Sequence, residues 1–579
     1  MMKKIYLLMI VMGLVSCEDF LDTQSYKEKN NGNFPMNSTD VEQLVTGIYG
    51  MLNEAQSAAD SYSFMLSELA SDECFGGGGI NDKKAQATDH LLMSDEGAYA
   101  AFWKTMFKGI GRANEAISVL SQYPDTEWKS QLLGECHFLR GYYYFELAQI
   151  FENIPIITHN PDNVEDAKEP LKQATPDELY SLIASDLKLA SDIMPSVKWN
   201  ELEYGKVSRW AAEALLARVY LFYTGFYQKE YLPLQSGAKI EKTEIISKLQ
   251  DCIDNSGHQL VADFRSLWPY SNKATLKDIR NMNEGERPNW FTDDIVEWKR
   301  DGENSEQIFS INFRYYPNYQ GTKYTNQVAL FGSFRSIDND IYEKGRPNSA
   351  FPLSKGWGFA PVATKFYENW NPEDKRRDYS VMYVDPTTYD SDQQMEASGY
   401  WSLKNTSISC YSGDKRLDNF ASSTDYWGDG ISSNYQVSIC QSLCLIRFAD
   451  VLLMQAELKE DMSYVDELRV RAGLTPILGY SLKALQEERA AELAFEGVRW
   501  GDIRRWHIAE EMLATQVGAK IYNVGVEKKM VDQKAGYVQR YKETRGFFPI
   551  PKAEIDLSNG TLKQNKGWDG DVRFTSWQE

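Results

Sequence analysis

The chain has 579 residues, with 62 Lys and Arg against 83 Asp and Glu, so its formal net charge is −21 at pH 7. A hydrophobic content of 42% supplies a large core and excludes a disordered chain. The acidic balance excludes a protein built to hold nucleic-acid phosphates, which needs clustered Lys and Arg.

Residues 1–16 read as a signal peptide. Lys3 and Lys4 form a basic start, and the apolar run from Ile5 to Val15 is too short to span a bilayer, which takes about 20 residues. The run ends in Leu14-Val15-Ser16-Cys17, which resembles the bacterial lipobox and implies acylation of Cys17. Loss of Lys3 and Lys4 takes the net charge from −21 to −23. Glu18 and Asp19 resemble the surface-export tag of Bacteroidetes-type lipoproteins. No later stretch is apolar for 18 residues, so the expectation is a lipid-anchored protein facing outward. Six further cysteines (Cys74, Cys136, Cys252, Cys410, Cys440, Cys444) show no CxxC or zinc spacing and read mostly as buried thiols, with any disulfide pairing left open.

Helical periodicity follows over Phe102–Leu120, Lys129–Phe151, Asp177–Met194 and Ser208–Tyr227. Thr175-Pro176 reads as a cap and first-turn proline, and Pro195 as a stop. Four late helices are expected at Ile446–Lys459, Tyr464–Ala472, Leu482–Glu496 and Trp500–Ala514. About eight helices with alternating bulky and small residues predict a mainly α fold, a tetratricopeptide-like scaffold of helical hairpins. Between the helical blocks lies a loop-rich insertion expected to contain short strands. The chain divides as 17–228, 229–445 and 446–579 within a single domain.

Residues 287–427 hold 27 aromatics, or 19%, against 11% in the remainder. Loops on a rigid scaffold concentrate binding groups, and a pyranose lays its C–H faces on indole and phenol rings while its hydroxyls bond to Asn, Asp, Gln and Arg. This points to Trp290, Trp298, Arg314, Tyr315, Tyr316, Tyr319, Trp357 and Trp401 as ligand-binding candidates. No phosphate loop, dinucleotide fingerprint, HExxH or GxSxG occurs, so an enzyme is not expected. Gly76–Gly79 reads as a flexible loop. The five histidines are not spaced as metal ligands, so no metal site or cofactor is expected, a structural Ca²⁺ being left open.

The late block carries motifs. Arg447-Phe448-Ala449-Asp450 through Glu457, Leu468-Arg469-Val470-Arg471-Ala472-Gly473-Leu474, Glu488-Arg489 through Gly497, Asp502-Ile503-Arg504-Arg505-Trp506 and Phe548-Pro549-Ile550-Pro551 resemble, in order, the RagB/SusD family. Ser16-Cys17, Phe20-Leu21-Asp22 and Phe138-Leu139-Arg140-Gly141 agree with its start. The connection from Glu457 to Leu468 is shorter than that family's. On helical spacing Arg489, Glu492, Glu496 and Arg499 would pair with one another, with Gly497 as the helix stop. Arg504, Arg505 and Trp506 would extend that network by stacking and bidentate pairing. The resemblance implies an outer-membrane lipoprotein that binds glycan and hands it to a SusC-like TonB-dependent transporter, without catalysis. A RagB-type peptide receptor and a structural scaffold of the transporter complex are the alternatives. Family ligand sites vary, so no site residue carries over.

Overall fold

The computed structural model describes residues 34–35, 37–55, 63–93, 97–161, 163, 171–300, 302–314, 324–335, 340–346, 349–387, 394–422, 434–530, 536–570 and 572–574. Cys17, Tyr315, Tyr316 and Tyr319 lie outside them.

Six longer helices run through the first part of the chain, α1 (Ser38–Ala55), α2 (Gly97–Ser121), α3 (Glu127–Phe151), α4 (Pro176–Ile193), α5 (Arg209–Phe226) and α6 (Lys242–Asn255), with two short helices, Ser63–Ala70 and Lys83–Asp89, between α1 and α2. Each packs on the next, α1 on α2 through α5 on α6, and α6 then meets α7 (Phe448–Lys459) from the late block. Local chemistry sets their starts. Thr175 closes a reciprocal capping box with Glu178, and Pro176 opens α4. The Ser208 and Thr126 side chains cap α5 and α3. α3 is buried along almost its whole length, so it is the central post of the scaffold.

The late block adds α8 (Leu482–Glu492), packed on α7, and α9 (Arg499–Arg505), packed on α5. Two expectations change here. The helix expected to reach Glu496 stops at Glu492, and Gly497 (φ +73°) follows a further turn. The expected Trp500–Ala514 helix is interrupted after Arg505 and resumes at Ala509, with His507 in the left-handed region (φ +57°). The short connection after α7 folds as a 3₁₀ turn (Met462–Val465) and a short helix (Asp466–Arg471), with Met462, Val465 and Leu468 packed on Leu453 and Leu485. Further helices, including α1, α6 and Ser63–Ala70, take the scaffold beyond the expected eight.

Strands are short, as expected. β1 (Gln307–Ile311), inside the insertion, pairs antiparallel, with bulges, to β2 (Leu443–Arg447) at its end. That ladder ties the insertion to the scaffold at its root. The main core runs from Val41 to Trp568 and unites both helical blocks. The insertion has its own core around Phe264, Trp268, Tyr270, Trp290, Trp298, Phe334, Trp401 and Phe420. Of the six described cysteines beyond Cys17 all but Cys444 are buried, and Cys74, Cys136, Cys252 and Cys444 are free thiols.

Candidate functional site

The motif charges lie under the insertion. Arg447, at the end of β2, donates to Glu306 (3.0 Å), Glu492 (2.7 Å) and both carboxylate oxygens of Glu496 (2.7 and 2.9 Å). Arg376 from the insertion reaches Glu488 (2.6 Å) and Glu492 (2.8 Å), Arg471 reaches Glu306 and Glu492, and Lys404 reaches Glu496 (2.8 Å). A second group joins Asp450 to Arg218 (2.6 Å) and Arg489 (2.5 Å), and Asp502 to Arg489 and Arg505. Burial would raise the carboxyls of Glu492 and Asp450, but the surrounding guanidiniums hold both well below the usual range. The ion pairs expected along one helix are therefore pairs between elements: Arg489 turns to Asp450, Glu492 and Glu496 to Arg447, and Arg499 to Asp72 (2.8 Å). Arg505 does pair bidentately with Glu457 and stacks on Trp506, and Arg504 lies over Phe547 (4.4 Å) and Phe226. This buried network fixes where the insertion sits; it offers no exposed group to a ligand.

Of the predicted ring residues, Trp401 (0% exposed), Trp290 (1%) and Trp298 (7%) are enclosed in the insertion's core. Trp401 meets Phe334 edge-on at 5.2 Å, Trp290 lies on Tyr270 at 4.6 Å and Trp298 on Phe420 at 5.6 Å. They present no face to a sugar, so as ligand contacts they are corrected to core residues. The enrichment in aromatics is in large part this second core. Arg314 is exposed, and its N–H closes onto the Tyr324 carbonyl (2.9 Å).

Trp357 differs from the other three. It is half-buried, its ring edge-on to Phe331 (5.0 Å) and Phe359 (6.3 Å), and its backbone N–H donates to the Leu330 carbonyl (3.0 Å). The glycine loop packs beside it: Gly78 donates to the Gly358 carbonyl (2.7 Å), and Gly77 and Gly79 bridge to Phe359 and Gln394. The Arg335 guanidinium joins the Asp82 carboxylate (3.1 Å) to the Trp357 carbonyl (3.2 Å). Gly76–Gly79 is thus a buried, fitted segment rather than a flexible one. A Cβ on Gly77 (φ +65°) would fall 2.5 Å from the Gly358 oxygen, and one on Gly78 (φ +73°) 2.3 Å from the Phe359 ring. Exposed Ile80 lies next along the chain. The arrangement is a supported aromatic face with amide, carboxylate and guanidinium groups at its edge, the chemistry a sugar ring needs.

Sequence reading missed a second exposed aromatic group. Tyr367 stacks on Tyr400 (4.2 Å), exposed Tyr383 tilts against Tyr400 (5.1 Å), and Arg377 lies over Tyr367 (4.8 Å). Residue type alone gives no signal for it.

Two hollows elsewhere make poorer sugar sites. A cavity of about 60 Å³ among Arg218, Arg489, Asp502 and Arg505 is too small for a sugar. A wider groove of about 660 Å³ along α6 is lined by charges that pair with one another, Lys188 with Asp192 and Glu244, Lys248 with Asp192, and Arg209 with Asp251. It contains no aromatic ring.

Comparison with known proteins agrees with the fold. The family model described as "Starch-binding associating with outer membrane" matches residues 19–221, and the one described as "SusD family" matches residues 295–568. The chain is similar to SusD-like protein P2 of Formosa agariphila, 24% identical across 98% of this chain and 99% of that protein. Among solved structures it resembles a laminarin-binding SusD-like protein (TM-score 0.66, 22% identity, 92% of this chain and 100% of that one). It also resembles surface glycan-binding protein A from Bacteroides thetaiotaomicron in complex with laminarihexaose (TM-score 0.66, 19% identity, 91% of this chain and 99% of that one).

Proposed function

We propose that this chain, which belongs to the SusD/RagB family, is an outer-membrane surface lipoprotein that captures a glycan and passes it, uncleaved, to a SusC-like TonB-dependent transporter. The observation that carries the reading is Trp357, a half-buried indole held on Phe331 and Phe359 where the glycine loop meets the insertion. An indole fixed in this way loses little freedom when a ring is laid on it, which favours binding over an equally exposed but mobile side chain. Polar groups at its edge supply direction, with Arg335 already oriented by Asp82.

The reading assigns no catalytic step. Cleavage of a glycosidic bond needs two carboxyl groups placed on either side of it, whereas Asp82, the carboxylate at this face, is engaged by Arg335 and by the Gly79 N–H (2.6 Å). The anchor rests on Cys17 and the residues before it. Cys17→Ser is expected to release the protein from the membrane fraction, and its retention there would contradict the anchor. Handover is supported by family membership, and co-purification of a β-barrel transporter with the tagged full-length protein tests it. For ligand capture, laminarin and laminarihexaose are the first glycans to titrate, because solved proteins of this fold carry those names. The expected result is heat of binding that is lost in Trp357→Ala.

A further inference from the structure

Beneath the glycine loop lie two carboxylates that pair with no Lys or Arg among the described residues. Asp89 accepts the Gly76 N–H (3.1 Å) and the Tyr537 hydroxyl (3.2 Å) on Oδ2, and Glu396 accepts the Gly77 N–H (2.8 Å) on Oε2. Their other oxygens, Asp89 Oδ1 and Glu396 Oε1, are fully buried and have no hydrogen-bond partner. Among the described residues no Lys or Arg pairs with either, in contrast to the acids around Arg447. Two buried carboxylates side by side are costly in their ionised forms.

His90 completes the group. Its ring is held between Tyr537 (4.7 Å) and Phe574 (5.7 Å), with Nε2 3.8 Å from Glu396 Oε1. One donor atom each from Asp89, His90 and Glu396 lies within 4.8 Å of the others. A separation of 3.8 Å is too long for a hydrogen bond. It falls between the spacing of ligands around a tetrahedral ion, about 3.4 Å, and that of opposite ligands around an octahedral one, about 4.2 Å, for bonds of about 2.1 Å.

We propose that Asp89, His90 and Glu396 form a binding site for a divalent transition-metal ion of the zinc or manganese type. An imidazole with two carboxylates suits such ions, and a 2+ charge neutralises the pair. Because Asp89 and His90 lie at the end of the short helix Lys83–Asp89, between α1 and α2, and Glu396 belongs to the insertion, the ion fastens scaffold to insertion. The effect reaches the tryptophan face directly: Gly76 and Gly77 are bonded to the two carboxylates, Gly78 to the Gly358 carbonyl, and Gln394, two residues before Glu396, to the same carbonyl (3.0 Å). Sequence spacing hides such a site, since Glu396 is far along the chain from His90.

The test uses the mature chain, stripped with a chelator and titrated with Zn²⁺ or Mn²⁺ alone, so it is independent of any glycan. The expected result is about one equivalent bound, a raised melting temperature on adding the ion, and at least about a 100-fold weaker affinity in His90→Gln and in Glu396→Gln. Substituted Co²⁺ should give visible ligand-field bands in the wild-type chain that are lost in both variants. His90→Gln removes no charge, so it keeps the test usable if Glu396→Gln fails to fold. No bound ion with no shift in melting temperature would overturn the proposal. So would undiminished binding in His90→Gln, or binding of Ca²⁺ alone.

Discussion

Arg335 and Asp82 form an ion pair at 3.1 Å, and the same guanidinium holds the Trp357 carbonyl, so one side chain connects the glycine loop to the proposed ligand face. Both partners are more than a quarter exposed (28% and 30%), so the pair itself contributes under about 1 kcal/mol to stability. Arg335→Ala should therefore leave the denaturation midpoint nearly unchanged. Glycan affinity should fall by about tenfold, because the Trp357 backbone loses its tie to the glycine loop. Calorimetric titration beside a denaturant series separates the two effects.

The tryptophans should divide into two classes. Trp401→Ala and Trp290→Ala empty a core and should cost about 3–5 kcal/mol of stability by chemical denaturation. Any ligand still bound by the folded fraction should bind with wild-type affinity. Trp357→Ala should do the reverse, with a small loss of stability and at least about tenfold weaker binding.

Breaking the buried network should be far more severe than breaking a surface pair. Arg447→Ala leaves Glu306, Glu492 and Glu496 without one of their cations, and about 3–5 kcal/mol of stability should be lost. Because the Glu492 and Asp450 carboxyls titrate below their unfolded values, the stability they provide is complete above about pH 4 and is lost as the pH falls further. Acid unfolding of the wild-type chain should begin in that range.

Glu213 predicts the opposite slope. Burial pushes its carboxyl up to about 7, against the compensating charges of Lys248 and Arg209. The fold prefers the protonated form, so the cost of ionisation sets in as the pH rises through the unfolded value and is complete above about pH 7. Glu213→Gln should stabilise the protein by on the order of 1–2 kcal/mol at pH 8, and this gain should vanish by pH 4. Denaturant midpoints at the two pH values check this.

Helices of the first half were legible because their apolar residues recur at three- and four-residue steps. α1 carries the same signal in Val41, Val45, Ile48 and Leu52. The end of α8 was not legible. Glu492 and Glu496 face Arg447, a partner from another element, and the chain leaves the helix where those contacts require it. Trp357 was legible as a candidate, yet Trp290, Trp298 and Trp401 looked the same. A loop aromatic and a core aromatic have one composition; burial against Phe334, Tyr270 and Phe420 distinguishes them, and that is set by long-range packing. The four glycines were conspicuous, but the Gly358 and Phe359 backbone and ring that require them lie far along the chain.

The most direct test of glycan capture at Trp357 is isothermal titration of the mature chain and its Trp357→Ala variant against laminarin, laminarihexaose and a wider polysaccharide panel. The account predicts binding heat from at least one glycan for the wild-type chain, and loss of that heat in a variant whose melting temperature is little changed. No heat with any glycan, or undiminished binding in Trp357→Ala, would contradict it.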